Sequence, residues 1–204
     1  MVMERADTQV SAGQRSDASL IEGSLSDPGC FALIFDRHAD AITRYACARI
    51  GPHLAEDVTA ETFLDAFRRR GHYDLSRPDA RPWLYGIAVR QIGRHRRAGA
   101  RQQQLLGALP PELLTDDFGD RSAERVTAEQ LGPRLGAVLS GLPRRDRELL
   151  LLIAWADLSY AQAAEALGIS VSAVRSRLNR IRARLRKALG GTNPASIDEG
   201  TRHG

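Results

Sequence analysis

The seventeen residues from Val171 to Lys187 hold the densest chemistry in the chain. They include Arg175, Arg177, Arg180, Arg182, Arg184, Arg186 and Lys187, with no acidic residue anywhere from Ala166 to Ile197. A guanidinium is a rigid fork of donors that matches phosphate oxygens and the O6/N7 edge of guanine. The chemistry on offer is therefore recognition of a polyanion. Covalent chemistry has no comparable candidate. The five His are scattered, Cys30 and Cys47 lack metal-ligand spacing, and there is neither a nucleophile–base pair nor a phosphate-cradling Gly loop. No catalytic residue, metal site or cofactor is expected, and an enzyme is not.

An element must hold those cations on one side. Val174, Leu178, Ile181 and Leu185 recur at i, i+4, i+7 and i+11, which predicts a helix with one apolar stripe. Before it lies a short Ala-rich helix from Ser159, ended at Gly168, with Ser170 as N-cap of the next. Helix, tight turn and second helix with a cationic front describe a helix-turn-helix whose second helix enters a DNA major groove. An ordinary helical hairpin with a solvated basic face is the alternative, and the unopposed run of seven cations weighs against it. Ser172, Arg175, Ser176, Asn179 and Arg180 project away from the stripe and are the candidates for base edges. Arg177, Arg182, Arg184 and Arg186 lie toward the flanks, where phosphate contact or solvation is expected.

The remaining chain divides by charge. Residues 1–67 carry eleven acids and five bases, 68–101 ten bases and two acids, 102–165 ten acids and six bases, and 166–204 eight bases and two acids. Two cationic blocks flanking an acidic one suggest two DNA contacts joined by something that avoids DNA. Of the 29 basic residues only Lys187 is Lys, a chain-wide usage that a GC-rich coding sequence explains. With 43% apolar but 5% aromatic residues and little alternation, the chain is expected to be all-α. Met1 to Ser26 lacks a secretory core, and the apolar run Leu149 to Ala156 is too short to span a bilayer. A cytoplasmic protein with reduced thiols and no membrane insertion is expected.

The expected organisation is two small helical domains joined by a flexible linker. Residues 1–26 read as a disordered extension and 27–99 as a first domain, with helices over about 28–50, 55–69 and 82–99. Phe31, Ile34, Phe35, Ile42, Tyr45, Val58, Phe63 and Phe67 are its expected core. Residues 100–130 read as an acidic linker, 131–189 as the helix-turn-helix domain and 190–204 as a disordered tail.

The order of these pieces resembles the extracytoplasmic-function (group IV) sigma factors, compact initiation subunits of bacterial RNA polymerase. Ala55-Glu-Asp-Val-Thr-Ala-Glu61-Thr-Phe-Leu64 is similar to the family's AEDLVQETFL segment, and Trp83-Leu-Tyr-Gly-Ile-Ala88 followed by Arg96-Arg97 to its WLYGIARN…RR segment. Leu142-Pro-Arg-Arg-Asp-Arg-Glu148, Leu158-Ser-Tyr160, Leu167-Gly-Ile-Ser170 and Val174-Arg-Ser-Arg177 resemble region 4. The chain departs from the pattern at Ala60, where the family often has Gln, at Arg90, where it often has Asn, and at Gln162-Ala163, where it often has Glu-Ile.

The resemblance implies a function and partners. The partners are core RNA polymerase, promoter DNA and an anti-sigma factor. Asp57, Glu61 and Asp65 would dock on the polymerase clamp. The loop at about Gly71–Arg81 would hold a flipped base of the −10 element, with Arg77, Arg81, Trp83, Arg90, Arg94 and Arg97 along the single strand. Trp83 also reads as a core plug beside a helix-starting Pro82. Ser172, Arg175, Ser176, Arg177, Asn179 and Arg180 would read the −35 element.

A stand-alone dimeric helix-turn-helix regulator would explain the C-terminal half but leaves the first basic block and the acidic helix idle. A recombinase lacks its catalytic cluster, and a protein-only adaptor is at odds with the cationic blocks. The linker makes a prediction of its own. Residues 102–130 carry Glu112, Asp116, Asp117, Asp120, Glu124 and Glu129 against Arg121 and Arg125. In the resembling family the connector threads a polymerase channel built for a polyanion, and the acidic groups of this chain would occupy it as a nucleic-acid mimic. Replacing Asp116, Asp117, Asp120 and Glu124 by Asn or Gln should lower holoenzyme stability and change the yield of abortive transcripts, less so at high salt. Unchanged affinity and abortive pattern at low salt would reduce the segment to a tether.

Overall fold

The structure, a computed structural model, describes residues 15–105, 136, 138–139 and 141–188. The expected linker beyond 105 and the expected tail lie outside them. Among the described residues there are seven α-helices, two 3-10 turns and no strand, as the all-α reading requires.

Helix α1, Asp17–Gly23, corrects the expectation of a disordered extension reaching residue 26. Ser16 caps it by accepting from the Ser19 amide, and Leu20 and Ile21 are fully buried. Asp27 accepts from the Gly29 amide and starts a 3-10 turn, Pro28–Phe31, that runs into α2, Ala32–Ile50. Gly51, at φ 85°, breaks the chain, and Pro52 opens α3, Pro52–Arg69. A second 3-10 turn, Arg70–His72, leads into the loop before α4, Arg81–Leu105. Ile34, Ile42, Ala46, Ala55, Val58, Ala66, Leu84, Ile87 and Ile92 fill the space between α2, α3 and α4. Each fully buried Leu or Ile side chain contributes about 1.5–3 kcal/mol. Phe35 was expected there and is 45% exposed, resting edge-on against Phe63 at 4.9 Å between ring centroids.

The second unit comprises α5, Arg144–Ala154, α6, Tyr160–Leu167, and α7, Val171–Ala188. Leu149 and Leu152 of α5 are fully buried with Val174, Leu178 and Ile181 of α7, and Leu142 and Leu158 close the ends. The Arg147 guanidinium donates to the Leu139 carbonyl and pins the chain ahead of α5. The two units are not merely strung together: α6 packs on α4, and one apolar cluster runs through both.

One polar group ties α1 to the rest. The Asp17 carboxylate, 4% exposed, accepts from the Ala80 amide at 2.9 Å, from His38 Nε2 at 2.8 Å and from Arg37. The Asp17 amide in turn donates to the Pro78 carbonyl at 3.0 Å. Burial raises its pKa, but the bonds from His38, Ala80 and Arg37 outweigh that and bring it from 3.8 to about 2. A depressed folded-state pKa means stability that is present above the unfolded value and lost as pH falls through the folded one. Asp17 should thus supply about 2 kcal/mol that disappears between pH about 4 and about 2. Denaturant titrations across that range should fall less steeply for Asp17→Asn than for wild type. Parallel pH profiles would show that the carboxylate charge does not support α1.

Candidate nucleic-acid interface

The helix-turn-helix is built from local signals. Ser159 and Gln162 form a reciprocal capping box at the start of α6, the Ser159 hydroxyl accepting from the Gln162 amide and Gln162 Oε1 from the Ser159 amide. Gly168 takes φ 63°, so the chain can turn, and the Ser170 hydroxyl caps α7 by accepting from the Ala173 amide. Val174, Leu178 and Ile181 point into the core, and Leu185 packs partly against it. Ser172, Arg175, Ser176, Asn179 and Arg180 are exposed on the opposite face, and Arg177 is half-buried at its edge. Arg182 donates to the Tyr160 hydroxyl at 2.9 Å, which ties the flank of α7 back to α6.

The second cationic face runs from the loop before α4 along that helix. Tyr73 anchors the loop: its hydroxyl donates to the Arg77 carbonyl at 2.7 Å, and its ring lies 4.9 Å from that of Trp83. Trp83 is half-buried on this partner. Arg81 grips Asp79 with three bonds of 2.9–3.1 Å, which raises its pKa further. Arg77 pairs with Asp74 at 3.1 Å and with Glu165 of α6. Further along α4, Arg90, Arg94 and Arg97 are exposed. Partial burial lowers the Arg90 pKa, with the Arg69 cation adding to the effect, and the group stays a cation. Arg77 in the loop and Arg81 at the start of α4 are thus engaged with acids, whereas Arg90, Arg94 and Arg97 face outward.

The acidic helix α3 divides similarly. Asp57 and Glu61 are exposed and Asp65 is half-buried. Glu61 lies 3.0 Å from His95 Nε2, and Asp65 accepts from Arg69 at 2.7 Å. Leu54 and Leu64 are exposed on the same stripe as Asp57 and Glu61, at i, i+3, i+7 and i+10. Sequence reasoning took this as a purely acidic face. The missed signal was that Leu64 falls out of phase with Val58, Thr62 and Ala66, which are buried.

Family models match Sigma-70 region 2 over residues 34–102 and Sigma-70, region 4 over residues 134–185. The RNA polymerase sigma factor NccH of Alcaligenes xylosoxydans xylosoxydans is 31% identical over 162 residues, covering 78% of this chain and 86% of that protein. The chain belongs to the extracytoplasmic-function sigma factors. The sigma factor SigD of Mycobacterium bovis, of the same class, is 28% identical over 201 residues, covering 91% of this chain and 89% of that one. The structure of CnrH in complex with the cytosolic domain of CnrY matches with TM-score 0.59 and 27% identity, covering 85% of this chain and 97% of that one. The sigma factor RpoE of Bartonella quintana, solved with the anti-sigma factor NepR, shares the fold at TM-score 0.61 and 21% identity.

As a member of this class the protein is an alternative sigma factor, a transcription initiation factor that directs core RNA polymerase to promoters. No helix among the described residues is long and apolar enough to cross a membrane, and no group of three or more His, Cys, Asp or Glu among them could hold a metal ion.

Proposed function

We propose that this sigma factor divides its work among three faces. Ser172, Arg175, Ser176, Asn179 and Arg180 of α7 read the −35 duplex, with Arg177 on the adjacent phosphates. Arg77, Arg81, Arg90, Arg94 and Arg97, with Trp83 and Tyr73 shaping the loop, bind the −10 strand. Asp57, Glu61, Leu54 and Leu64 of α3 dock on core polymerase, with Asp65 orienting Arg69 beside them. The observation that carries the reading is α7: its buried stripe forces the five polar and cationic side chains onto one open face.

The chemistry fits each role. Arg suits guanine O6/N7 and Asn suits adenine. A single strand calls for cations beside an aromatic platform, and base extrusion costs a few kcal/mol. On α3 the carboxylates supply orientation and on-rate, while the leucines supply the desolvated contact that charges alone do not. CnrH and RpoE were solved with protein partners, and an anti-sigma factor is the regulator proposed for this chain too.

Purified chain plus core polymerase should give defined transcription start sites on a matching promoter. Arg175→Ala and Arg180→Ala should each weaken −35 recognition by about 1–3 kcal/mol without loss of polymerase association. Asp57→Arg combined with Leu64→Arg should instead abolish co-purification with polymerase while sparing duplex binding by the free chain. That binding is expected to be weak and non-specific, near ~10⁻⁴–10⁻⁶ M. Sub-nanomolar operator binding by the isolated chain would favour the stand-alone regulator.

A further inference from the structure

The loop before α4, residues 73–80, has two sets of ties. One set meets α6, where Asp79 Oδ2 accepts from Gln162 Nε2 at 2.8 Å. The other runs to α1 and holds the loop at both ends. At the entry, Arg70 Nε donates to the carbonyl of Ser24, the residue that closes α1, at 3.3 Å. Leu25 Cδ2 comes within 3.8 Å of where a Cβ on Gly71 would stand. At the exit, the Asp17 amide donates to the Pro78 carbonyl at 3.0 Å, and Asp17 Oδ2 accepts from the Ala80 amide at 2.9 Å. Between these points the loop is braced by its own bonds, Tyr73 to Arg77 and Asp74 to Ser76.

Docking α1 does not by itself call for a carboxylate. Leu20 and Ile21 are fully buried and supply apolar contact, whereas a buried Asp adds a desolvation cost that its bonds must first offset. What Asp17 adds is direction. Ala80 is the last residue before α4, and its carbonyl accepts from the Leu84 amide as the helix begins. Fixing the Ala80 amide therefore fixes where α4 starts, and with it the backbone that carries Arg77, Arg81 and Trp83. Oδ2 is in turn held by His38 Nε2 at 2.8 Å, so the loop is referenced to α2 through α1.

We propose that Asp17 is a positioning residue for −10 recognition: α1 is a brace that fixes the path of residues 78–80, so that Arg77, Arg81 and Trp83 meet the bases in one register. The proposal rests on the assignment of that loop to −10 DNA. The brace requires the acceptor rather than the charge. An Asn at position 17 can set its single oxygen where Oδ2 stands, keeping the bonds from Ala80 and His38. Its NH₂ then turns toward Arg37, whose side chain reaches solvent. A Leu has nearly the same shape but no oxygen, and it leaves the Ala80 amide buried without that partner. The charge that supports α1 against acid and the oxygen that sets the loop are thus separable by one pair of variants.

The test uses holoenzyme assembled from the full chain, with circular dichroism to confirm that each variant folds. Competitive transcription from two template pools, one varied at the −10 and one at the −35, reads base preference at each element. Asp17→Leu should reduce discrimination among −10 bases about tenfold, the scale of one hydrogen bond, and leave −35 preference unchanged. Asp17→Asn should restore most of the −10 discrimination. A sigma factor that is merely less stable loses transcription from every template in proportion, so preference within each pool stands. That outcome for Asp17→Leu would overturn the brace, and so would equal relaxation by Asp17→Asn. Arg70→Leu cuts the entry tie instead, carries the same expectation, and decides the matter if Asp17→Leu does not fold. The assignment of the loop is judged separately by Arg81→Ala. If that variant leaves −10 discrimination intact, the assignment fails and the brace with it; if it relaxes discrimination while Asp17→Leu does not, the brace alone fails.

Discussion

Helix α4 must satisfy three neighbours at once, and the rest of the molecule is arranged around that constraint. It packs on α2, α3 and α6 together, so Leu84, Tyr85, Gly86, Ile87 and Ala88 are consecutive buried residues covering every side of the helix. A helix apolar all round cannot also carry cations. They are displaced beyond Val89, where Arg90, Arg94 and Arg97 face solvent while Gln91 and Ile92 stay buried on the other side of the helix. The loop before α4 receives the other cations, and there each Arg has an acid within reach. The difference between open cations on α4 and engaged cations on the loop follows from packing alone.

What was legible in the sequence is what is decided locally. Gly168 and Ser170 mark the turn of the helix-turn-helix because a positive φ and an N-cap bond depend on residues within three positions. The outward face of α7 followed from a strict stripe of four residues. Helix α1 was not legible because seven residues make too short a helix to declare itself, and what orders it is Asp17 reaching across to Ala80. Phe35 was misplaced for a related reason. On α2 the apolar residues Leu33, Ile34 and Phe35 are adjacent, so periodicity cannot say which of them faces the core. The exposed leucines of α3 were hidden by the charges beside them.

Long-range polar pairing was invisible for a different reason: nothing in the spacing of Arg77, Asp79, Gln162 and Glu165 ties them together. The departure of Gln162 from its family pattern was visible, yet its meaning needed the position of Asp79. A neutral amide between a backbone amide donor and a carboxylate acceptor satisfies both, which no other side chain of that length can do. The substitution is thus intelligible only with both units in view.

The strength of the contact between the units is set by how it is built. Beside the apolar cluster that runs through both units, its side-chain bonds are polar, and partly exposed ion pairs such as Arg77–Glu165 are worth little in water. The buried pair Arg49–Glu148 spans 3.4 Å, a separation at which Coulomb attraction does not greatly exceed the desolvation of Arg49. Burial likewise raises the Tyr45 hydroxyl pKa, which keeps that neighbouring group neutral. Such pairs specify one orientation while adding little to the apolar contact. An interface without polar pairing would not fix which face of α6 is presented. Directional pairing of Gln162 with Asp79 and of Glu165 with Arg77 thus fixes the face of α6 that meets the loop, and with it the opposite face that supports α7.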